Sequence, residues 1–393
     1  MTAAALAVAP RPEDTEERSS KKILWYSNAP WAPTGYGLQT ALFVPKIRDA
    51  GYDIAISALW GLNHTITAWD GITVYPGDPV AGFRSLPAQV AHWAGTDDCL
   101  LITLWDVWPL RVAGLEKMRV AAWVPVDHDP VPPGVFEFFS KYGARAIAMS
   151  KFGQAALRAV GIDAFYVPHG VDTTIYKPSG GRERVRAAMG IPEDAFLIGM
   201  IANNKGTSPS RKGYPEAFAA FAEFARSHDN AYLYVHAEKH PPGGLNLPLT
   251  ADMLGIPRDR IIWAPQFEYI HGLIEPGEMA VLYSSLDVLL NPSWGEGFGI
   301  PIVEAQACGT PVIVSNWTSM PELCGAGWLV EGEKFFNAPQ GSYWLHPFVG
   351  SIVEALEKAY TTPRDEEKAV AFAAQYDADL VMKDHWLPVL EVL

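Results

Sequence analysis

Three cysteines in 393 residues, Cys99, Cys308 and Cys324, are odd in number and lack metal-type spacing. A disulfide framework and a cysteine-rich zinc site are therefore excluded, and reduced thiols in a cytoplasmic protein are expected. Long apolar runs are missing too: none approaches the ~20 residues of a membrane span, so no transmembrane segment is expected. Basic charge is scarce, with 30 Lys+Arg against 44 Asp+Glu and a net charge of −14. Residues 1–175 hold 14 basic and 17 acidic residues, and residues 176–393 hold 16 and 27. Neither half is the basic surface that duplex nucleic acid requires, so a nucleic-acid partner is disfavoured. No internal repeat is present. What the chain has is apolar bulk: 49% hydrophobic residues and 14 Trp, enough for roughly two to three domains of about 150 residues each. Residues 1–20 show no periodicity. Their apolar run has no basic residue before it and acids soon after, unlike a signal peptide, so a disordered tail is expected.

Residues 288–330, VLLNPSWGEGFGIPIVEAQACGTPVIVSNWTSMPELCGAGWLV, carry the densest chemical signal. An apolar strand ends at Asn291-Pro292-Ser293. Gly295, Gly297 and Gly299 then alternate, Pro301 stands where a first helical residue belongs, and Gly309 ends the helix before the next strand. A helix start of this kind has unpaired N–H groups and a positive dipole end, which suit a phosphate or diphosphate. Glu296 and Glu304, eight positions apart, frame the loop. A site built for phosphate alone would avoid them; acids beside an anion pocket make sense as acceptors for hydroxyls, one set on a sugar and one on a ribose.

The rest of the chain reads as alternating strands and helices. Residues 23–27 form a first strand, followed by a second glycine loop with Trp31, Gly35, Tyr36 and Gly37, a helix over residues 39–50 and a strand from Asp53. Residues 99–104 and 120–126 are further strands whose carboxyl ends carry Asp106, between Trp105 and Trp108, and Asp127-His128-Asp129-Pro130. Ligands of open α/β sheets bind at that edge. Ser150 caps a helix over residues 152–160, and Tyr166 to Asp172 close the first half. Residues 179–194 read as a linker with one polar helix. A second strand-loop-helix start follows, with Asn203 in the loop and Arg211-Lys212-Gly213 before the helix; Gln266 follows a later strand. The boundaries expected are a tail 1–20, a first domain 21–178, the linker 179–194, a second domain 195–362 and closing helices 363–393.

The run EGFGIPIVEAQACGTPV resembles the E-x7-E signature of retaining nucleotide-sugar glycosyltransferases of family 4. The resemblance implies the GT-B architecture, two Rossmann-like α/β domains facing each other across a cleft, with final helices crossing back to the first domain. It implies that Glu296 contacts the transferred sugar, that Gly297, Phe298, Gly299 and Ile300 hold the donor diphosphate, and that Glu304 holds the ribose. Arg211 and Lys212 then grip the diphosphate, Gly35, Tyr36 and Gly37 face it from the first domain, and Gln266 lies where the base binds. Asn203 departs from the family pattern, which has Gly-Arg near that point. His128 inherits a contact near the reacting carbon, and His169 replaces the family's usual Asn. Trp31, Asp106 and Asp127 are acceptor-side candidates.

The donor is then a nucleoside-diphosphate sugar, no further cofactor or metal is implied, and the acceptor is left open among small molecules, glycans, lipids and proteins. Asp127-x-Asp129 admits a rival reading as a metal-held diphosphate site of the other transferase fold class. Two rival functions remain, a GT-B nucleotide-sugar epimerase and a non-catalytic nucleotide-sugar binder.

Overall fold

The computed structural model describes residues 21–78, 83–95 and 97–393; the tail expected at residues 1–20 lies outside the described residues. The first half runs β1 (Lys22–Ser27), α1 (Gly35–Asp49), β2 (Asp53–Ala58), β3 (Thr67–Trp69), β4 (Ile72–Tyr75), α2 (Leu86–Ala94), β5 (Cys99–Leu104), β6 (Arg119–Val124), α3 (Pro133–Tyr142), β7 (Arg145–Ala148), α4 (Lys151–Ala159) and β8 (Ala164–Tyr166). Its sheet has the order β3-β4-β2-β1-β5-β6-β7-β8, parallel except where β3 meets β4. Both faces are covered, which explains the near-continuous apolar strands. Along β1, Ile23 and Trp25 enter one core while Leu24 and Tyr26 enter another.

After α5 (Arg182–Met189) the second half runs β9 (Phe196–Ile201), α6 (Tyr214–Phe224), β10 (Ala231–His236), α7 (Leu247–Met253), β11 (Ile261–Trp263), α8 (Gln266–Ile270), α9 (Pro276–Ser285), β12 (Val288–Asn291), α10 (Ile300–Ala307), β13 (Val312–Ser315) and β14 (Gly327–Val330). These strands form a parallel sheet ordered β11-β10-β9-β12-β13-β14. The two parallel sheets are the two Rossmann-like domains expected. A hairpin of β15 (Gly332–Asn337) and β16 (Ser342–Pro347) follows, then α11 (Val349–Thr361), α12 (Glu366–Ala373), α13 (Ala378–Val381) and α14 (Leu387–Val392).

Two local readings change, and the last helix is interrupted near Pro388 as its sequence suggests. The second glycine loop is not a loop: Thr34 caps α1 by accepting from the Gly37 amide at 3.0 Å, so Gly35, Tyr36 and Gly37 form its first turn. The linker helix α5 is not free. Arg186, 1% exposed, pairs with Asp287 at 2.7 Å, and that carboxylate also accepts from the Leu197 amide at 2.6 Å, which fastens α5 to the second sheet. The last helix is broken into α13, a π turn over Met382–Trp386, and α14. Pro388 has no N–H to return to the preceding turn, and the wider turn absorbs the missing bond.

The closing helices cross back as expected. Trp386 is fully buried, with ring centroids 5.5 Å from Trp25, 4.9 Å from Trp123 and 6.0 Å from Phe43, all in the first domain. Truncating it opens a large cavity, so Trp386→Ala is expected to cost about 3–5 kcal/mol in chemical denaturation. Trp386→Phe, which keeps part of the ring volume, is expected to cost less than Trp386→Ala, and the indole N–H, which has no acceptor among the described residues, adds nothing to that cost.

Candidate active site

The carboxyl edges of the two sheets enclose a cavity of about 1500 Å³. Every residue singled out as a site candidate lines it except Gly37 and Gln266. A Cβ on Gly37 would meet the Ala32 carbonyl oxygen at 2.3 Å, so that glycine serves packing. The Gln266 amide ties β10 to β11, accepting from the Lys239 amide at 2.8 Å and donating to the carbonyls of Ala237 and Ala264 at 3.1 and 2.8 Å. Its side chain is spent there, and His236, Glu238, Tyr269 and Ile270 form that wall instead.

The loop between β12 and α10 lies directly on the first domain. A Cβ on Gly295 would stand 2.1 Å from the Asp127 carbonyl oxygen, and one on Gly297 would stand 2.5 Å from Pro125 Cβ. Their bareness thus permits contact between domains, while Gly299, at φ 120°, turns the chain into α10. Ser319 Oγ lies 2.8 and 2.6 Å from the carbonyl oxygens of Glu296 and Phe298, and the Glu296 amide donates to Thr318 Oγ1 at 3.1 Å. The start of α1 faces the start of α10: a Cβ on Gly35 would come 3.2 Å from Ile300 Cδ1. Two helix N-termini, both positive ends, therefore look into one space.

Glu296 meets both cations there. Arg211 Nη1 lies 3.2 Å from its Oε2, and Lys212 Nζ contacts its Oε1. The turn that holds them packs on Pro292, Gly213 leaving no room for a Cβ and Trp294 donating its amide to the Arg211 carbonyl at 2.8 Å. Burial would raise the Glu296 carboxyl, but Lys212 and Arg211 outweigh it and hold it down at about 2. Burial and the Arg211 charge push the Lys212 ammonium down, against Glu296. Arg211 also reaches to 3.7 Å from Asp127. Glu304, 7% exposed, accepts from the Tyr283 hydroxyl at 2.8 Å. Burial pushes its carboxyl up to about 7 against the pull of the Tyr283 and Tyr176 hydroxyls. Burial and the Asp127 charge raise Asp106 to about 6.

His128 has both ring nitrogens engaged. Nδ1 is 2.6 Å from Asp127 Oδ1 and Nε2 is 2.9 Å from Asn337 Nδ2, with Trp344 stacked on the ring at 4.7 Å and 23°. Asn337 and Trp344 belong to the β15–β16 hairpin, which sequence reasoning missed. The signal was available as two aromatic runs, FF and YW, flanking Ala338-Pro339-Gln340-Gly341. Since an amide nitrogen only donates, Nε2 accepts and Nδ1 carries the proton. The Asp127-x-Asp129 pair does not converge: Asp127 is taken by His128 and Arg211, while Asp129 points to Lys334 at 3.9 Å.

His169 replaces an Asn without becoming a charged group. Its Nδ1 is 3.0 Å from Gln39 Oε1, which also accepts from the Gly170 amide, and burial pulls the imidazole down to about 3. It packs 5.2 Å from Phe298. Asn203 is exposed on the rim beside Lys205. Trp31 is 44% exposed and donates its indole N–H to the Gly61 carbonyl at 2.8 Å.

The hydrogen-bond pattern at His128 yields one expectation. Nitrogen-15 spectra of labelled protein are expected to place a ring proton on Nδ1 with Nε2 as the acceptor, and Asn337→Ala, which removes the donor facing Nε2, is expected to loosen that preference. An Nε2–H tautomer in the unaltered protein would contradict the arrangement.

Residues 211–339, from Arg211 to the hairpin turn, match the family model described as Glycosyl transferases group 1. D-inositol 3-phosphate glycosyltransferase of Segniliparus rotundus is 30% identical over 157 residues, covering 39% of this chain and 32% of that protein. The enzyme of the same name from Rhodococcus opacus is 32% identical over 227 residues, covering 56% and 47%. The matched stretch thus spans from about a third to just under half of the length of these curated relatives. Among solved structures, sucrose-phosphate synthase from Thermosynechococcus elongatus superposes with a TM-score of 0.68 at 17% identity, covering 95% of this chain and 100% of that one. Anabaena HepE in complex with UDP-glucose gives the same TM-score, identity and coverage. At such identity these likenesses show the fold. The resemblance read from the E-x7-E run is borne out: the chain has the GT-B architecture, and its residues 211–339 match the glycosyl transferases group 1 model.

Proposed function

We propose that the protein is a retaining glycosyltransferase that moves a sugar from a nucleoside-diphosphate sugar to an acceptor hydroxyl without an obligatory metal. The observation that carries this reading is the meeting of Arg211, Lys212 and Glu296 with two helix N-termini in one interdomain cavity, with Glu304 and His128 on its walls. HepE was solved with UDP-glucose, so uridine diphosphate sugars are the donors to try first.

In this reading the diphosphate takes the place of Glu296 as the partner of Arg211 and Lys212, against the amides of Gly297, Phe298 and Gly299. The bond between the sugar's anomeric carbon and the phosphate oxygen breaks, and charge grows on the leaving diphosphate. Fixed cations and amides in a water-poor site stabilise that charge. The acceptor oxygen bonds the anomeric carbon on the same face, and its proton passes to the departing phosphate. Glu296, released from its cations, accepts from sugar hydroxyls, and Glu304 from the ribose.

Release of UDP from a panel of UDP-sugars, with and without chelator, tests the reading; release that survives chelation is expected. Abolition by chelator would remove the metal-free mechanism. Binding with no turnover would make the protein a nucleotide-sugar binder, and an isomerised free sugar would make it an epimerase. A charge-assisted hydrogen bond is worth about 1.5–3 kcal/mol, so Lys212→Ala is expected to slow transfer by roughly ten to a few hundred fold. Glu304 supplies a pH test. Its carboxyl stands above its ordinary value of 4.5, so its contribution to the stability of the empty fold is complete below about 4.5 and lost past about 7. Ribose hydroxyls favour the ionised form, so UDP-glucose is expected to bind more tightly as pH rises from 6 to 8. Glu304→Gln is expected to flatten that slope, read by calorimetry.

A further inference from the structure

His128 has no polar atom left for a ligand. Its ring is 3% exposed, Nδ1 faces Asp127 Oδ1 at 2.6 Å, Nε2 faces Asn337 Nδ2 at 2.9 Å, and Trp344 is stacked on the ring. What remains open at this corner is the other end of the Asn337 amide. Asn337 is 7% exposed and lines the cavity, and among the described residues no N–H or O–H donates to its Oδ1. A carbonyl oxygen so far removed from water is costly until a ligand supplies a donor.

A relay of contacts makes that oxygen, rather than the amide nitrogen, the free end. Burial would raise the Asp127 carboxyl, but the His128 bond and the Arg211 charge outweigh it and hold it below its ordinary value. Asp127 is then an anion that only accepts, so Nδ1 of His128 carries a proton. Nε2 accepts from the Asn337 nitrogen, which leaves Oδ1 turned from the ring. The hairpin does not need Asn337 to reach the first domain. The Asp129 amide donates to the Tyr343 carbonyl at 3.2 Å, and the Ser342 hydroxyl donates to the Pro130 carbonyl. Glu296 is close at hand, because a Cβ on the adjoining Gly295 would stand 2.1 Å from the Asp127 carbonyl oxygen and 2.9 Å from Trp344 Cδ1. Resting on the reading of the cleft as a nucleoside-diphosphate sugar site, we propose that Asn337 reads the transferred sugar, accepting from one of its hydroxyls through Oδ1, and that His128 positions this amide instead of touching the sugar. An acceptor oxygen suits a hydroxyl and not an ionised phosphate oxygen, which has no proton to give. A site built in this way rejects the analogue that lacks the hydroxyl.

The test measures, by calorimetry on the full chain, binding of the tightest member of a panel of UDP-sugars and GDP-mannose, and of the matching nucleoside diphosphate. Asn337→Ala is expected to weaken the nucleotide sugar about tenfold and the bare diphosphate by less than about twofold. Deoxy analogues of that sugar, each lacking one hydroxyl, sharpen the result: one of them is expected to bind the unaltered protein and Asn337→Ala equally well. His128→Phe, which keeps a ring under Trp344, is expected to weaken the nucleotide sugar less than Asn337→Ala does, and the double variant to bind no more weakly than Asn337→Ala. The proposal would be overturned by equal losses, or none, for the nucleotide sugar and the bare diphosphate in Asn337→Ala. A loss shared by every deoxy analogue, or additive losses in the double variant, would overturn it too. In each of these cases the donor reading stands. No binding of any nucleotide sugar by the unaltered protein would overturn that reading, and the proposal with it.

Discussion

The site depends on one arrangement of buried charge: a carboxylate, Glu296, clamped between an ammonium and a guanidinium at the place where the two domains touch. Burying either sign alone is costly, so the empty cleft keeps its cations by supplying its own anion. The same pairing makes the cleft exchangeable. A ligand bringing two phosphates can replace Glu296 as counter-charge and leave that carboxylate free to accept from hydroxyls. Helix ends add to the effect, because α1 and α10 both present their amide ends to this space.

Two devices tie that arrangement to the relation between the domains. Gly295 and Gly297 let the loop before α10 lie on Pro125 and Asp127, so the anion-facing loop and the His128 segment are set against each other. The β15–β16 hairpin then reaches from the second domain and covers His128 with Asn337 and Trp344. A continuous chain of contacts runs from Asn337 through His128, Asp127 and Arg211 to Glu296. On the far side, Trp386 fills the first-domain core from the end of the chain. Any change in the angle between the domains must repack these contacts, and the cleft residues would feel it.

Much of this was legible because it is local. The spacing of Glu296 and Glu304, the position of Pro301 and the alternation of glycines follow from one loop and one helix, and strand ends mark the sheet edge where ligands bind. What escaped the sequence involves partners far apart along the chain. Nothing around His128 announces that Asn337 will meet its ring, and nothing around Gly295 announces the Asp127 carbonyl. Gln266 was placed by its position after a strand, yet its amide is consumed in joining two strands, which only the paired geometry reveals. Gly37 was read as part of a ligand loop, but Thr34 had already started the helix.

The most direct measurement is the crystal structure of the protein with UDP-glucose bound. The account predicts the diphosphate between the starts of α1 and α10, with Arg211 and Lys212 turned from Glu296 onto its oxygens, Glu296 within hydrogen-bond reach of the sugar and Glu304 of the ribose. A nucleotide held elsewhere, or one bound in the cleft with the pairs of Glu296 to Arg211 and Lys212 unbroken, would contradict it.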